Sequence, residues 1–243
     1  MERIMTVAES RFIAPGVCLM RLSGGKKGDI KAPGQFINIK IDGFFLRRPI
    51  SVCDEEDGGL TIIFKTVGDG TRALAALGPG AKLDVLSGLG NGYDISVGCR
   101  MPLLLGGGAG VPPMYLLAKK LIEAGKHPTV ILGFNTAAEI FLRREFEALG
   151  IPVIVATADG SEGVKGFVTD AAEKAEYDYT FACGPEPMLR AVYDMTDRPG
   201  QFSFERRMGC GFGACMGCSC RTVTGYKRIC VEGPVLFREE IIW

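Results

Sequence analysis

Apolar residues recur along this chain with two different periods, and the change between them falls near residue 98. Before it, short runs rich in β-branched residues are cut by glycine and proline, at 16–22, 35–41, 50–53, 60–67 and 81–86. Runs of this kind, bounded by turn formers, predict a small antiparallel β-barrel with Greek-key connections. One helix interrupts them, over residues 71–77, opened by Gly70-Thr71 and closed by Gly78-Pro79-Gly80. After Arg100, apolar strands alternate with amphipathic helices, as in a parallel sheet with helical crossovers. The strands are predicted over 102–105, 129–134, 151–157 and 179–182, the helices over 113–124, 137–149, 168–175 and 185–195. In the first of these helices Met114, Leu117, Ala118, Leu121 and Ile122 share one face, while Lys119, Lys120 and Glu123 lie outside it. From about residue 199 the chain turns glycine- and cysteine-rich, which suits a small module held by a metal rather than by a large core. The predicted fold class is therefore β plus α/β: a barrel (1–98), a Rossmann-like domain (99–198) and a cluster module (199–243).

The last of these segments carries the most specific chemistry. Cys210, Cys215, Cys218 and Cys230 are spaced C-x4-C-x2-C-x11-C, the plant-type ferredoxin spacing for a [2Fe-2S] cluster. Glycines and an alanine between the first three allow a tight loop whose amides can point at sulfur. A structural zinc is the alternative for four thiolates, although zinc sites usually come as paired C-x2-C knuckles and only one such pair is present. Cys220 is a second-ranked substitute for Cys218. Cys18, Cys53 and Cys99 read as buried thiols.

Composition narrows the rest. The chain has 243 residues, 47% hydrophobic and 23% charged, with 28 basic and 28 acidic side chains. Zero net charge argues against nucleic acid as a partner. No cationic, apolar leader opens the chain and no apolar stretch of about 18 residues occurs, so a cytoplasmic, non-membrane protein is expected. Nine cysteines in such a chain point to metal or redox chemistry. The single histidine, His127, excludes a Rieske cluster and leaves no basis for Ser-His-Asp or Cys-His catalysis. No catalytic side chain is assigned, and the chemistry is expected to belong to cofactors.

Several loops could hold those cofactors, and each has a plain structural alternative. Gly106-Gly107-Gly108-Ala109-Gly110-Val111-Pro112-Pro113 joins a strand to a helix, where a pyrophosphate can sit on N-terminal amides, or it is a tight turn. The acidic residue expected ~20 positions on for a ribose is not evident. Arg47-Arg48-Pro49-Ile50-Ser51 fixes a cation and a hydroxyl along a strand, or is a turn with exposed arginines. Val67-Gly68-Asp69-Gly70-Thr71 is a capped turn or a second phosphate cradle. Cys183-Gly184-Pro185 ends a strand at the carboxyl edge of the sheet, where α/β proteins bind ligands.

Taken in order, with Gly88-Leu89-Gly90-Asn91-Gly92 between them, these segments resemble the ferredoxin-NADP reductase superfamily over residues 1 to about 198. With the cysteine tail, the whole chain resembles the electron-transfer subunits of type 1B, NAD-dependent dihydroorotate dehydrogenases. The resemblance implies that Arg48, Pro49, Ile50 and Ser51 form the FAD motif, with arginine on the pyrophosphate and serine near the reactive flavin edge. Many reductases carry tyrosine where this chain has Ile50. It implies further that Ile63, Phe64 and Lys65 line the flavin, that Gly70 and Thr71 bind its diphosphate, and that Gly108, Gly110 and Pro113 form the nicotinamide-dinucleotide loop. Cys183, Gly184 and Pro185 would border the nicotinamide, and the four cysteines would hold the cluster. NAD is the implied co-substrate, since Asn135-Thr136-Ala137 offers no arginine for a 2′-phosphate. The implied partner is an FMN-containing catalytic subunit, in a heterotetramer of two plus two. Two alternatives stand beside this. One is a sister reductase serving ferredoxin, sulfite reductase or hydrogenase; the other is a zinc-stabilised nucleotide-binding module without redox activity.

Overall fold

The computed structural model describes residues 2–243. Six strands close the barrel: β1 (Glu2–Ala14), β2 (Val17–Ser23), β3 (Phe36–Ile39), β4 (Arg48–Glu56), β5 (Gly59–Lys65) and β6 (Lys82–Leu89). Their spatial order is β1-β2-β5-β4-β3-β6, every pair antiparallel, which is the expected Greek-key arrangement. Met5, Val7, Met20, Ile37, Ile39, Val52, Ile62 and Val85 fill the interior. Helix α1 (Asp69–Ala75) links β5 to β6. It begins two residues before the predicted start because Gly68, not Gly70, is the N-cap; Thr71 reaches back, its Oγ1 accepting from Gly68 N at 3.1 Å.

The chain then crosses into a sheet built from β7 (Pro102–Gly107), β8 (Thr129–Phe134), β9 (Val153–Thr157), β10 (Val164–Lys165), β11 (Tyr179–Cys183) and β12 (Gly200–Ser203). The crossovers are α2 (Val111–Glu123), α3 (Arg143–Glu147), α4 (Val168–Ala172) and α5 (Glu186–Met195). A hairpin, β13 (Ser219–Thr222) with β14 (Gly225–Arg228), follows in the cysteine-rich segment, and β15 (Val235–Phe237) returns to the sheet. The sheet order is β10-β9-β8-β7-β11-β12-β15; all neighbours are parallel except β15, antiparallel to β12. Thus the segment after residue 199 both closes the sheet and carries the cysteines.

Two expectations need correction. The helix predicted over 137–149 is broken: a 3-10 turn at Ala137–Glu139 is followed by Phe141 and Leu142, both buried. Leu142 takes φ 62°, which no helix permits, so α3 starts only at Arg143. Phe141 instead packs edge-on against Phe134, ring centroids 5.3 Å apart. The second correction is β1, which the run pattern did not mark. Its inward face carries Met5 and Val7, but register shifts at Val7/Glu9 and Phe12/Ala14 break the alternation.

Barrel and sheet are locked together by α2, which lies against β4. Lys119 Nζ on α2 meets both Asp54 carboxylate oxygens on β4, at 2.8 and 2.9 Å. Tyr93, buried between them, donates its hydroxyl to Ala182 O at 2.9 Å and packs edge-on against Phe181. Burial raises the pKa of Tyr93 well above the usual phenol value, and raises the Cys183 thiol beside it from 9.0 to about 12. Both are held neutral by the fold, so their contribution is complete below the ordinary thiol pKa and fades as pH rises. Denaturation midpoints in urea should therefore hold steady to about pH 9 and fall progressively toward pH 12. A midpoint that stayed level across this window would contradict the burial of these groups as neutral species.

Candidate functional site

Adjacent arginines have separate fates at the start of β4. Arg47 is committed to structure: its guanidinium meets Asp84 Oδ2 at 2.8 Å and donates to the backbone of Asp84 and Asn38. Arg48 has no carboxylate partner among the described residues; it donates to Leu46 O at 2.5 Å and lies 5.2 Å from the Phe44 ring centre. Its guanidinium rests on Gly70 so closely that a Cβ there would overlap it. A buttressed, unneutralised guanidinium beside a glycine at the start of α1 has the chemistry a diphosphate needs, and the residues present fit FAD. Pro49, Ile50 and Ser51 run on along β4, half-buried. On β5, Phe64 points into the barrel core and Ile63 into the layer beneath the sheet, so only their backbones remain for a ligand. Lys65 ends β5 and extends toward the second domain, its Nζ 3.4 Å from Glu139 Oε2.

A cleft of about 480 Å³ opens where β5 meets the carboxyl edge of the sheet. Lys65, Gly108, Asn135, Glu139, Pro185 and Met188 are among its walls. The β7–α2 loop and the β11–α5 loop meet there, because a Cβ on Gly110 would overlap Cys183 O and one on Gly107 would overlap Met188 Sδ. Gly108 takes φ +53°, and Val111-Pro112-Pro113 form the first turn of α2, where a missing N–H costs nothing. Glycines thus make the floor of a narrow dinucleotide groove, and the residues present fit a nicotinamide dinucleotide. Replacing Gly110 with alanine forces Cβ onto backbone, which no rotamer relieves; overpacking of this kind costs about 1–3 kcal/mol. Flavin reduction by NADH should slow by about tenfold or more in G110A while FAD content holds, and an unchanged rate would rule out this groove.

Glu205, to which sequence reasoning gave no role of its own, lies just beyond β12, where its charge acts on the Cys183 thiol. As a residue it is open to solvent, yet local desolvation raises its carboxyl pKa above the ordinary value. The Cys183 thiol itself is raised first by burial and then by Glu205. The buried Cys183 thus ends β11 immediately before Gly184 and Pro185, and of the Cys183-Gly184-Pro185 segment Pro185 reaches the cleft wall.

The four cysteines fall into two pairs. Cys215 N and Ala214 N donate to Cys210 Sγ at 3.4 and 3.2 Å, and Cys210 N donates to Cys215 Sγ at 3.4 Å. Cys230 N donates to Cys218 Sγ at 3.4 Å. Desolvation acts against ionising Cys210, but the amides of Phe212, Cys215 and Ala214 outweigh it and bring the thiol down to about 6. Cys230 is pushed the other way, to about 12, by desolvation and then by the neighbouring Cys218 and Cys210 sulfurs. Sulfurs crowded this closely ionise together only around a cationic core. No three metal-ligating side chains converge on one point among the described residues. Two pairs suit a dinuclear cluster, one pair per iron, better than a single tetrahedral ion. Cys218 and Cys230 are buried, Cys215 is exposed and Cys210 lies between, so one edge of the site faces outward. Cys220 sits within β13, outside both pairs.

Comparison with known proteins agrees with this geometry. Residues 205–242 match the family described as the iron-sulfur cluster binding domain of dihydroorotate dehydrogenase B, and residues 104–194 the oxidoreductase NAD-binding domain. The chain is 44% identical to the dihydroorotate dehydrogenase B (NAD(+)) electron transfer subunit of Bacillus caldolyticus, covering 98% of this chain and 97% of that one. It is 41% identical to the Fusobacterium nucleatum subunit of the same name, over 97% and 96%. Among solved structures, a chain of the NADH-dependent reduced ferredoxin-NADP oxidoreductase, described for flavin-based electron bifurcation, superposes with TM-score 0.90 at 30% identity over 99% of this chain and 90% of that one. The cytochrome b5 reductase domain of Ulva prolifera nitrate reductase shares the fold, with TM-score 0.63 at 22% identity over 78% and 89%.

Proposed function

The chain belongs to the electron transfer subunits of dihydroorotate dehydrogenase B, and on that premise we propose that it carries electrons between the FMN of a catalytic dihydroorotate-oxidising subunit and NAD. The observation that carries this is the joining, in one fold, of the Arg48 cradle, the Gly108–Gly110 groove and the paired cysteines. Bound there, FAD and a [2Fe-2S] cluster supply the exchange between two-electron chemistry at NAD(H) and single-electron transfer. We assign FAD to residues 1–98, NAD to 99–198 and the cluster to 199–243.

Within that scheme the chain's own residues bind and orient. Arg48, Gly70 and Thr71 hold a diphosphate, while Pro49, Ile50, Ser51 and the β5 strand Ile63-Phe64-Lys65 edge the flavin. Gly108, Gly110 and Pro113 hold the dinucleotide, and Cys183, Gly184 and Pro185 border its reactive end. Cys210 with Cys215 and Cys218 with Cys230 hold the irons. Phe212, Met216 and Val231, exposed apolar side chains on the cluster module, suit a partner docked over the outward edge. The partner is the catalytic subunit, in a two-plus-two heterotetramer. A cytoplasmic location is part of the same proposal. Nine unpaired thiols suit a reducing compartment, and among the described residues no helix is long and apolar enough to cross a membrane. A reductase serving another acceptor is less well supported, at 30% identity against 44%. Reconstitution with the catalytic subunit tests the assignment: dihydroorotate should reduce NAD only when both chains are present. Equal NAD reduction by the catalytic subunit alone would remove the role.

A further inference from the structure

Asn38 lies on β3 between Ile37 and Ile39, which point into the barrel, so its side chain points outward together with that of Phe36. In the ladder with β4, Phe36 is opposite Ser51 and Asn38 opposite Pro49. The outer face that presents Pro49 and Ser51 to the flavin site therefore also presents Phe36 and Asn38, and these two touch the cluster module. Asn38 Nδ2 donates to Cys210 O at 3.0 Å, and Phe36 shares a core with Cys218 and Cys230. The cysteine loop approaches so closely that a Cβ on Gly211, at φ +77°, would overlap Asn38 Nδ2. Asn38 is 1% exposed and its Oδ1 has no hydrogen-bond partner among the described residues. Asn38 thus commits its buried side-chain amide N–H to the backbone of the cysteine loop.

Asn91, in the glycine-rich turn after β6, grips the other end of the module. Its Nδ2 donates to Val235 O at 2.7 Å and Glu232 O at 3.2 Å, its Oδ1 accepts from Val235 N at 3.1 Å, and its backbone N donates to Gly233 O at 2.6 Å. All of Asn91's partners here are backbone groups, on Glu232, Gly233 and Val235, shortly after Cys230. The barrel thus holds the module at its first cysteine and just past its last.

We propose that Asn38 and Asn91 are positioning residues that dock the cluster module on the flavin barrel and so set the separation across which flavin and cluster exchange electrons. The inference rests on the flavin and cluster assignments above. Electron exchange weakens steeply with distance, and neither asparagine lies in the dinucleotide groove.

The test uses N91A and N38A in the complex with the catalytic subunit, mixed rapidly with NADH. Flavin bleaching should stay within about twofold of the parent while cluster reduction, read by freeze-quench EPR, slows by about tenfold. Amide hydrogen exchange in residues 209–218 and 230–236 should quicken. Cluster reduction at the parental rate would overturn the proposal, as would slowing with exchange unchanged. If a variant loses its cluster, it is read against cluster-free C215S: exchange in both segments faster than in C215S supports docking, and exchange equal to it overturns the proposal by placing the asparagines in cluster binding alone. A parent without flavin or cluster signals would instead sink the functional assignment, and the exchange comparison would still decide the docking.

Discussion

Replacing Cys215 with serine should abolish the cluster's visible and EPR signals while FAD stays bound. Cys215 is exposed, so the change opens no cavity and removes no core contact. What it removes is one of two thiolates in the outward pair, whose partner Cys210 is already inclined to ionise. A hydroxyl is a poor replacement, because it stays protonated where the thiol gives up its proton. NADH should still bleach the flavin in C215S, since that groove lies among Lys65, Gly108 and Pro185. Transfer to the catalytic subunit should fall to background. C220S, whose sulfur lies outside both pairs, should keep a full cluster. If C215S kept its cluster spectrum, or C220S lost its own, the ligand set would have to be redrawn.

Removing the Arg48 guanidinium should strip the protein of FAD on dilution. A charge-assisted hydrogen bond contributes about 1.5–3 kcal/mol, so R48A should weaken FAD binding by about 10- to 100-fold. R48K keeps the charge but loses the planar fork and should fall between. The guanidinium lies over Gly70 and Phe44 and has no ion-pair partner among the described residues, so its loss leaves no stranded carboxylate and the barrel should fold. R47A is the contrasting case. It strands Asp84, so its effect should appear in thermal stability more than in flavin affinity. Flavin content after gel filtration separates the two, and parental FAD retention in R48A would overturn the cradle.

Strands β2 to β6 were readable because each carries a short cluster of buried apolar residues bounded by turn formers, continuous in β2 and alternating in β6, and the helix α2 because its stripe repeats cleanly over Met114, Leu117, Ala118 and Leu121. Strand β1 was not, since two bulges shift its inward face midway. Residues 137–149 have helical composition, but tertiary packing of Phe141 and Leu142 overrides local propensity there. The short strands β12 and β15 carry too few residues for a period and exist because β11 and each other offer ladder partners.

The site divides in the same way. Cysteine spacing and glycine-rich loops are local signals and pointed to the cluster, the FAD motif and the dinucleotide loop. Asn38 gave no such signal, because what defines it is contact with Cys210, distant in sequence. Asn91 stood inside a recognised glycine motif, but its role emerges only from partners at Glu232 to Val235.

The most direct test is purification of the tagged chain from its native cell, with visible and EPR spectra, cofactor extraction and identification of what accompanies it. FAD and a [2Fe-2S] signal should appear together with an FMN-containing subunit that oxidises dihydroorotate. A colourless chain, or the same cofactors in company with a different redox partner, would contradict the proposed role.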